Sequence, residues 1–167
     1  STGVTAQSPY EKPIVGAIQG PAIGGGLGLA LMPDFRVTCA EGRFAANFTR
    51  LGFHPGFSLT FTLPRLIGQQ KANLMFYTGR RIGGEEAVAW GMADLLVPLA
   101  DVRKAAIDLA KEIAESAPLA VQSTRETMRR GFADAAEMVL RLVPLAAGVL
   151  LLALAMQAWR ELQPRPA

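Results

Sequence analysis

The stretch Gly20-Pro21-Ala22-Ile23-Gly24-Gly25-Gly26-Leu27-Gly28-Leu29-Ala30 decides how the rest of the chain is read. It follows a strand-like apolar run, residues 13–18, and leads into an apolar run that ends near Asp34. A strand, then consecutive glycines, then a helix start presents backbone N–H groups to an incoming ligand. Glycine tolerates φ > 0 and lets a ligand approach the main chain closely. The first N–H groups of a helix lack partners inside it, and the helix dipole there favours negative charge. Such a turn can hold a phosphate, a carboxylate or an oxyanion formed during a reaction. The alternative is close strand–helix packing that needs small residues, and the glycines alone leave both open.

Outward from that turn, residues 13–19 read as a buried strand and the glycines open a short helix toward Met32. Residues 35–40 fit a second strand, and residues 44–48 fit a short third one after the Glu41-Gly42 turn. Residues 51–57 carry Gly and Pro punctuation and read as a loop with partly buried aromatics. A helix is expected from Ser58 to Leu66, distorted or ended early by Pro64, with a second helical run over 69–78. Residues 84–91 form a compact helix stopped by Gly91, and 95–98 a short strand. Asp101 is a good N-cap for a helix to about Ser116, with Val102, Ala105, Ala106, Leu109 and Ile113 on one face. Pro118 opens a further helix, closed by Gly131, and Asp134 begins a last one. Strands first and helices after give a mixed α/β class with a helical C-terminal part and no internal repeat.

Composition narrows the function. At 167 residues the chain can bury one ordinary core, and 50% hydrophobic against 19% charged residues excludes disorder by composition. A net charge of +3, with no dense basic run interleaved with aromatics, argues against nucleic-acid binding. One cysteine, Cys39, and one histidine, His54, exclude a disulfide framework and leave no set of ligands for a zinc site. Cys39 reads as a small buried hydrophobe in a strand. The first eleven residues are polar and lack the apolar stretch of a signal peptide, so a cytoplasmic, reducing setting is the default.

The end of the chain breaks character. Residues 142–159 are apolar apart from Gln157, flanked by Arg141 and Arg160, and sit at the lower limit for spanning a bilayer. A membrane anchor, a helix buried at a subunit interface and a translated frameshift all fit, because periodicity does not separate them.

The order of motifs resembles the crotonase (enoyl-CoA hydratase/isomerase) superfamily. The matching pieces begin with Lys12-Pro13-Ile14-Val15-Gly16-Ala17-Ile18-Gln19-Gly20, Ala22-Ile23-Gly24-Gly25-Gly26, Leu29-Ala30 and Asp34. They continue with Phe44, Leu51-Gly52, Leu63-Pro64-Arg65-Leu66-Ile67-Gly68 and Tyr77-Thr78-Gly79-Arg80-Arg81-Ile82. Glu85-Glu86-Ala87, Trp90-Gly91-Met92 and Val97 complete the series, which covers about residues 12–131. The resemblance implies a crotonase-like β-β-α spiral followed by C-terminal helices. It divides the chain into a core over 1–98 (the C-terminal half of the spiral), a helical trimerisation region over 99–141 and an atypical apolar tail over 142–167.

It also implies the chemistry. Family members hold an acyl-CoA thioester carbonyl in an oxyanion hole and stabilise an enolate, because charge developing on the thioester oxygen must meet preorganised N–H donors. By resemblance one donor is the backbone N–H of Gly25. The other comes from a turn that lies, in the family, before the position of Lys12, so the chain looks like a C-terminal fragment carrying half of an oxyanion hole. The expected partner is an acyl-CoA thioester bound by a homotrimer or hexamer. No cofactor is implied beyond the coenzyme A that belongs to the substrate, and a membrane partner is implied only if the 142–159 run is an anchor.

The family's catalytic positions are occupied unusually. Aligning the triple glycine places the first of the two hydratase glutamates at Gly28, and aligning Phe44 with Leu51-Gly52 places the second at Phe48. An acid that some isomerases carry slightly later falls near Gly56. None of these residues transfers a proton, so two-glutamate hydration is not expected. His54 remains as the acid or base, since histidine exchanges protons near neutral pH, with a structural loop histidine as the alternative. Ile23, Gly24, Gly25, Gly28, Asn47, Phe48, Leu51 and Gly56 are expected to line the substrate site. Asn47, Thr49 and Ser58 can orient a polar acyl group or a water, or serve as caps and turns. Phe48, Phe53 and Phe57 make an apolar acyl pocket or simply pack the core. Arg80-Arg81 meets a CoA phosphate or forms a solvated charge pair. A non-catalytic acyl-CoA-binding or oligomer-forming relative, or an inactive fragment, is the competing reading.

Overall fold

The computed structural model describes residues 12–131; the helix expected from Asp134 and the apolar run at 142–159 lie outside the described residues. The chain enters as β1 (Val15–Ile18), turns at Gly20, runs through β2 (Pro21–Ile23) and starts α1 (Gly25–Ala30). A second pair, β3 (Phe35–Thr38) and β4 (Arg43–Ala45), is followed by a 3-10 turn, Asn47–Leu51. Then come α2 (Leu59–Ile67), α3 (Gln69–Thr78), β5 (Arg81–Gly83), α4 (Gly84–Ala89) and β6 (Leu95–Leu96). A 3-10 turn at Leu99–Asp101 leads into α5 (Val102–Ala114), and α6 (Pro118–Arg129) ends the described part.

Two small sheets result. One has the order β1-β3-β6, all parallel, with Val15 opposite Phe35 and Val37 opposite Leu95. The other has the order β2-β4-β5, with β2 parallel and β5 antiparallel to β4. β1 and β3 thus lie in the first sheet while β2 and β4 lie in the second. Each β-β pair turns one corner and stacks on the pair before it, which is the spiral expected from the motif order. Side chains tie the corners together: Thr38 Oγ1 donates to the Ile18 carbonyl at 2.9 Å, and the Cys39 thiol reaches the Gln19 carbonyl at 3.5 Å.

The main core lies between the second sheet and helices α1–α4, around Leu27, Phe44, Leu59, Leu63, Met75, Ile82 and Met92. A smaller cluster joins Val37 and Cys39 of the first sheet to Val102 and Ala106 of α5. Burial of such side chains is worth about 1.5–3 kcal/mol each and dominates the favourable side of folding. Gly84 is required where α4 meets the corner between β3 and β4: a methyl group there would lie 1.8 Å from the Cys39 carbonyl oxygen.

Charge fixes α6. Asp34, just before β3, accepts the Ile14 N–H at 2.8 Å and pairs with Arg125 at 2.9 Å and Arg129 at 3.2 Å. Beside it the buried Arg36 donates to the Pro33 carbonyl and pairs with Asp94 at 3.4 Å. Burial draws the Arg36 guanidinium below its ordinary pKa, while Asp94 and Asp34 oppose that shift.

Several sequence expectations are corrected. β1 is an edge strand and only half-buried, because it pairs with β3 on one side. β2 stands between the first strand and the glycine helix, too short at three residues to show a period. The strand expected over 44–48 ends at Ala45, and Phe48 falls in the 3-10 turn. Pro64 neither ends nor shortens α2, which continues to Ile67 because Leu59, Leu63 and Ile67 share one buried face. Asp101 precedes α5 but makes no capping bond: the preceding 3-10 turn already holds it at helical φ and ψ, not the extended backbone a cap uses. Of the face expected on α5, Val102 and Ala106 are buried, while Ala105, Leu109 and Ile113 are half-buried.

Candidate functional site

The glycine turn is built as the sequence suggests. Gly24 sits at φ 56°, ψ −118°, a conformation that side-chain-bearing residues rarely adopt. Its N–H donates to the Ala45 carbonyl at 2.9 Å, which fixes the turn against β4. Its carbonyl accepts the Leu27 and Gly28 amides at 3.0 and 3.2 Å, closing the first turn of α1. The Gly25 amide is the first of that helix and has no acceptor within it. An N–H held this rigidly at the positive end of a helix suits a developing oxyanion.

Around it the structure gathers most of the residues expected to line the site. Ile23 ends β2 and feeds the turn. A methyl group on Gly24 would lie 3.4 Å from Asn47 Oδ1 and 3.8 Å from Phe48 Cζ; one on Gly56 would lie 4.0 Å from Phe48 Cε1. The 3-10 turn is therefore the second wall of the site, with Asn47 and Phe48 both half-buried. Leu51, at its far end, is 64% exposed and does not close a pocket. Phe53 is exposed likewise, so the three-phenylalanine pocket does not form as a unit.

Phe57 makes the closest approach. A methyl group on Gly25 would meet its ring at 2.8 and 3.2 Å, and one on Gly28 would lie 2.4 Å from its Cβ and 2.8 Å from its Cγ. Phe57 thus lies along the face of α1 that carries both glycines. It is placed there by an unusual backbone, since Phe57 and Ser58 are both left-handed, at φ 55° and 53°. That conformation costs roughly 1–2 kcal/mol per residue for anything but glycine. Ser58 is buried at the start of α2, where its carbonyl accepts the Phe61 and Thr62 amides. It is a turn residue in this setting.

The polar candidates separate. Thr49 Oγ1 donates to the Phe76 carbonyl and so ties the 3-10 turn to α3, away from any ligand. His54 is exposed and makes no hydrogen bond or ion pair among the described residues, so nothing orients its ring as either a base or a structural histidine. Arg80 and Arg81 are exposed at the α3–β5 junction and form no ion pair among the described residues. Between Pro21 and Leu63 the acidic residues are Asp34 and Glu41. Asp34 is committed to its arginines, and Glu41 sits exposed in the β3–β4 turn. Among the described residues no group of three or more His, Cys, Asp or Glu is placed to hold a metal ion. None of the described helices is long and apolar enough to cross a membrane.

What the sequence reading missed is the fit between Phe57 and Gly28. The only signal was indirect: position 28, where the family resemblance implies a glutamate, is a glycine here.

Comparison with known proteins agrees with this architecture. A family model described as enoyl-CoA hydratase/isomerase matches residues 3–143, past both ends of the motif series. A carnitinyl-CoA dehydratase of Escherichia coli strain K12 is 37% identical over 127 residues, covering 76% of this chain and 49% of the relative. One from Salmonella heidelberg is 36% identical over the same length. The solved enoyl-CoA hydratase/isomerase of Pseudoalteromonas atlantica T6c aligns with a TM-score of 0.77 at 28% identity, over 83% of this chain and 56% of that one. The enoyl-CoA hydratase of Mycobacterium smegmatis gives 0.77 at 29% identity, over 86% and 65%. The chain spans about half the length of the curated relatives it matches.

Proposed function

Since this chain belongs to the enoyl-CoA hydratase/isomerase family, we propose that it binds an acyl-CoA thioester and stabilises the enolate of that thioester at the Gly25 amide. The observation that carries this reading is the turn itself. Gly24 spends its own N–H on β4 and its carbonyl on α1, which leaves the Gly25 amide fixed and without a helical acceptor. A thioester oxygen gaining negative charge is the partner such a donor fits. Coenzyme A arrives with the substrate, and the reading needs no other cofactor.

The reaction is not two-glutamate hydration. Position 28 is a glycine and position 48 a half-buried phenylalanine, and neither holds a proton. Proton transfer then falls to His54, the one imidazole in the chain, once a bound substrate orders its loop. The same two positions also favour the second reading, a non-catalytic acyl-CoA-binding or oligomer-forming relative, or an inactive fragment. Residues 99–141 are the proposed assembly region of a homotrimer or hexamer. A cytoplasmic location goes with the proposed substrate.

Turnover separates the readings. In a protein carrying both oxyanion donors, enoyl-CoA loss is followed by absorbance and thioester binding by calorimetry. The enzyme reading expects turnover that falls about 10²-fold or more in His54→Ala. Binding without turnover of any enoyl- or oxoacyl-CoA selects the second reading, and an unchanged rate in His54→Ala removes that residue from the mechanism. Sedimentation of the same protein tests the assembly, where a monomer at all concentrations refutes the trimer.

A further inference from the structure

We infer that Phe57 is the specificity-determining wall of the thioester site, and that it selects acyl groups carrying an aromatic ring next to the enolisable α-carbon. The inference rests on the acyl-CoA reading of Gly25 and goes beyond it. Phe57 occupies the direction in which any side chain at position 28 would project, with its Cβ 2.4 Å from that point. Its ring continues along α1 to Gly25, 2.8 Å from where a methyl group there would sit. Phe57 is 55% exposed, so the part of the residue that does not pack on α1 is open to solvent. Phe48 stands on the other flank of the turn, 3.8 Å from the corresponding point on Gly24. A thioester carbonyl held at Gly25 therefore carries its first acyl carbons in beside two aromatic rings.

That surrounding decides what fits. Aromatic pairs gain from offset or edge-to-face contact, a gain that a saturated group of the same size does not share. A long acid at position 28 is sterically excluded while Phe57 is in place. The left-handed pair Phe57–Ser58 directs the side chain back over α1, and Ser58 is anchored as the buried start of α2.

The test is a matched pair of thioesters, phenylacetyl-CoA and cyclohexylacetyl-CoA, titrated calorimetrically into the protein carrying both oxyanion donors. They share size, ring closure and an α-methylene and differ in aromaticity. The expected result is a preference for phenylacetyl-CoA of about fivefold that falls to near one in Phe57→Leu and is retained in Phe57→Tyr. Phe57→Leu keeps the apolar volume and the Cβ contact, so a purely structural role would leave the ratio unchanged. Equal affinities in the unaltered protein, or a preference that survives Phe57→Leu, overturn the inference and leave acyl-CoA binding standing. Failure to bind either thioester overturns both.

Discussion

Gly28→Ala is the sharpest perturbation of this site, and its effect depends on what stands at position 57. The new methyl group would lie 2.4 Å from Phe57 Cβ and 2.8 Å from Cγ. Cβ is fixed to the backbone, so it cannot swing away as the end of a long side chain would. Overpacking of this kind costs about 1–3 kcal/mol, and the rigid neighbour argues for the upper half of that range. Alanine also gains up to about 1 kcal/mol over glycine inside a helix. The net loss expected on the unaltered background is therefore about 1–2 kcal/mol. Phe57→Gly removes both clashing atoms, which Phe57→Ala would not, and it suits φ 55°. On that background Gly28→Ala is expected to be neutral or stabilising by up to about 1 kcal/mol. Urea denaturation of the four proteins, read at constant m, gives a coupling of about 2–3 kcal/mol. If Gly28→Ala shifts stability equally on both backgrounds, within about 0.5 kcal/mol, Phe57 does not pack on Gly28 and the wall does not exist.

Asp34→Ala deprives two half-buried arginines of their shared carboxylate and the Ile14 amide of its acceptor. Breaking a buried pair costs about 3–5 kcal/mol, and the partial exposure of Arg129 lowers the expectation to about 2–3 kcal/mol in urea denaturation. Faster amide exchange across α6 should accompany it, and unchanged exchange would mean that α6 is held by other contacts. Gly84→Ala drives a methyl group into the Cys39 carbonyl, where neither backbone can yield cheaply. A loss of more than about 3 kcal/mol is expected by thermal denaturation, and a fully stable variant would contradict the packing of α4 on the corner between β3 and β4.

The elements that were legible are those whose cause is local. α3 runs from Gln69 to Thr78, as its helical run indicated, and α6 opens at Pro118, where proline suits a first helical position. Gly91 and Gly131 carry the positive φ that their positions at helix ends suggested. The illegible parts depend on distant partners. β2 is three residues long and exists because Phe44 and its neighbours pair with it across the corner. Arg125 reads as one charge on a solvated helix until Asp34, 91 residues earlier, is found beside it. At the site, the glycine turn was readable from its own residues. The occupant of the space beside Gly28 was not, because no spacing rule brings residue 57 back onto residue 28.

That occupant bears on whether the site is a ruin or a rebuilt one. Had a larger side chain at position 28 been lost by chance substitution, a small residue would stand beside an unfilled gap, because surroundings relax only partly into such a space. Here the space beside Gly28 is filled to within contact by a side chain that reaches it only through two left-handed residues. Backbone strain of that kind persists where surrounding structure over-determines it, and such positions cluster at ligand clamps and active sites. Ser58 supplies the determination, since it is buried and starts α2. Gly28 and Phe57 are therefore best understood as one feature: the absence of a side chain at 28 is what lets the ring stand beside Gly25. The proposed acyl selection stands or falls with that contact.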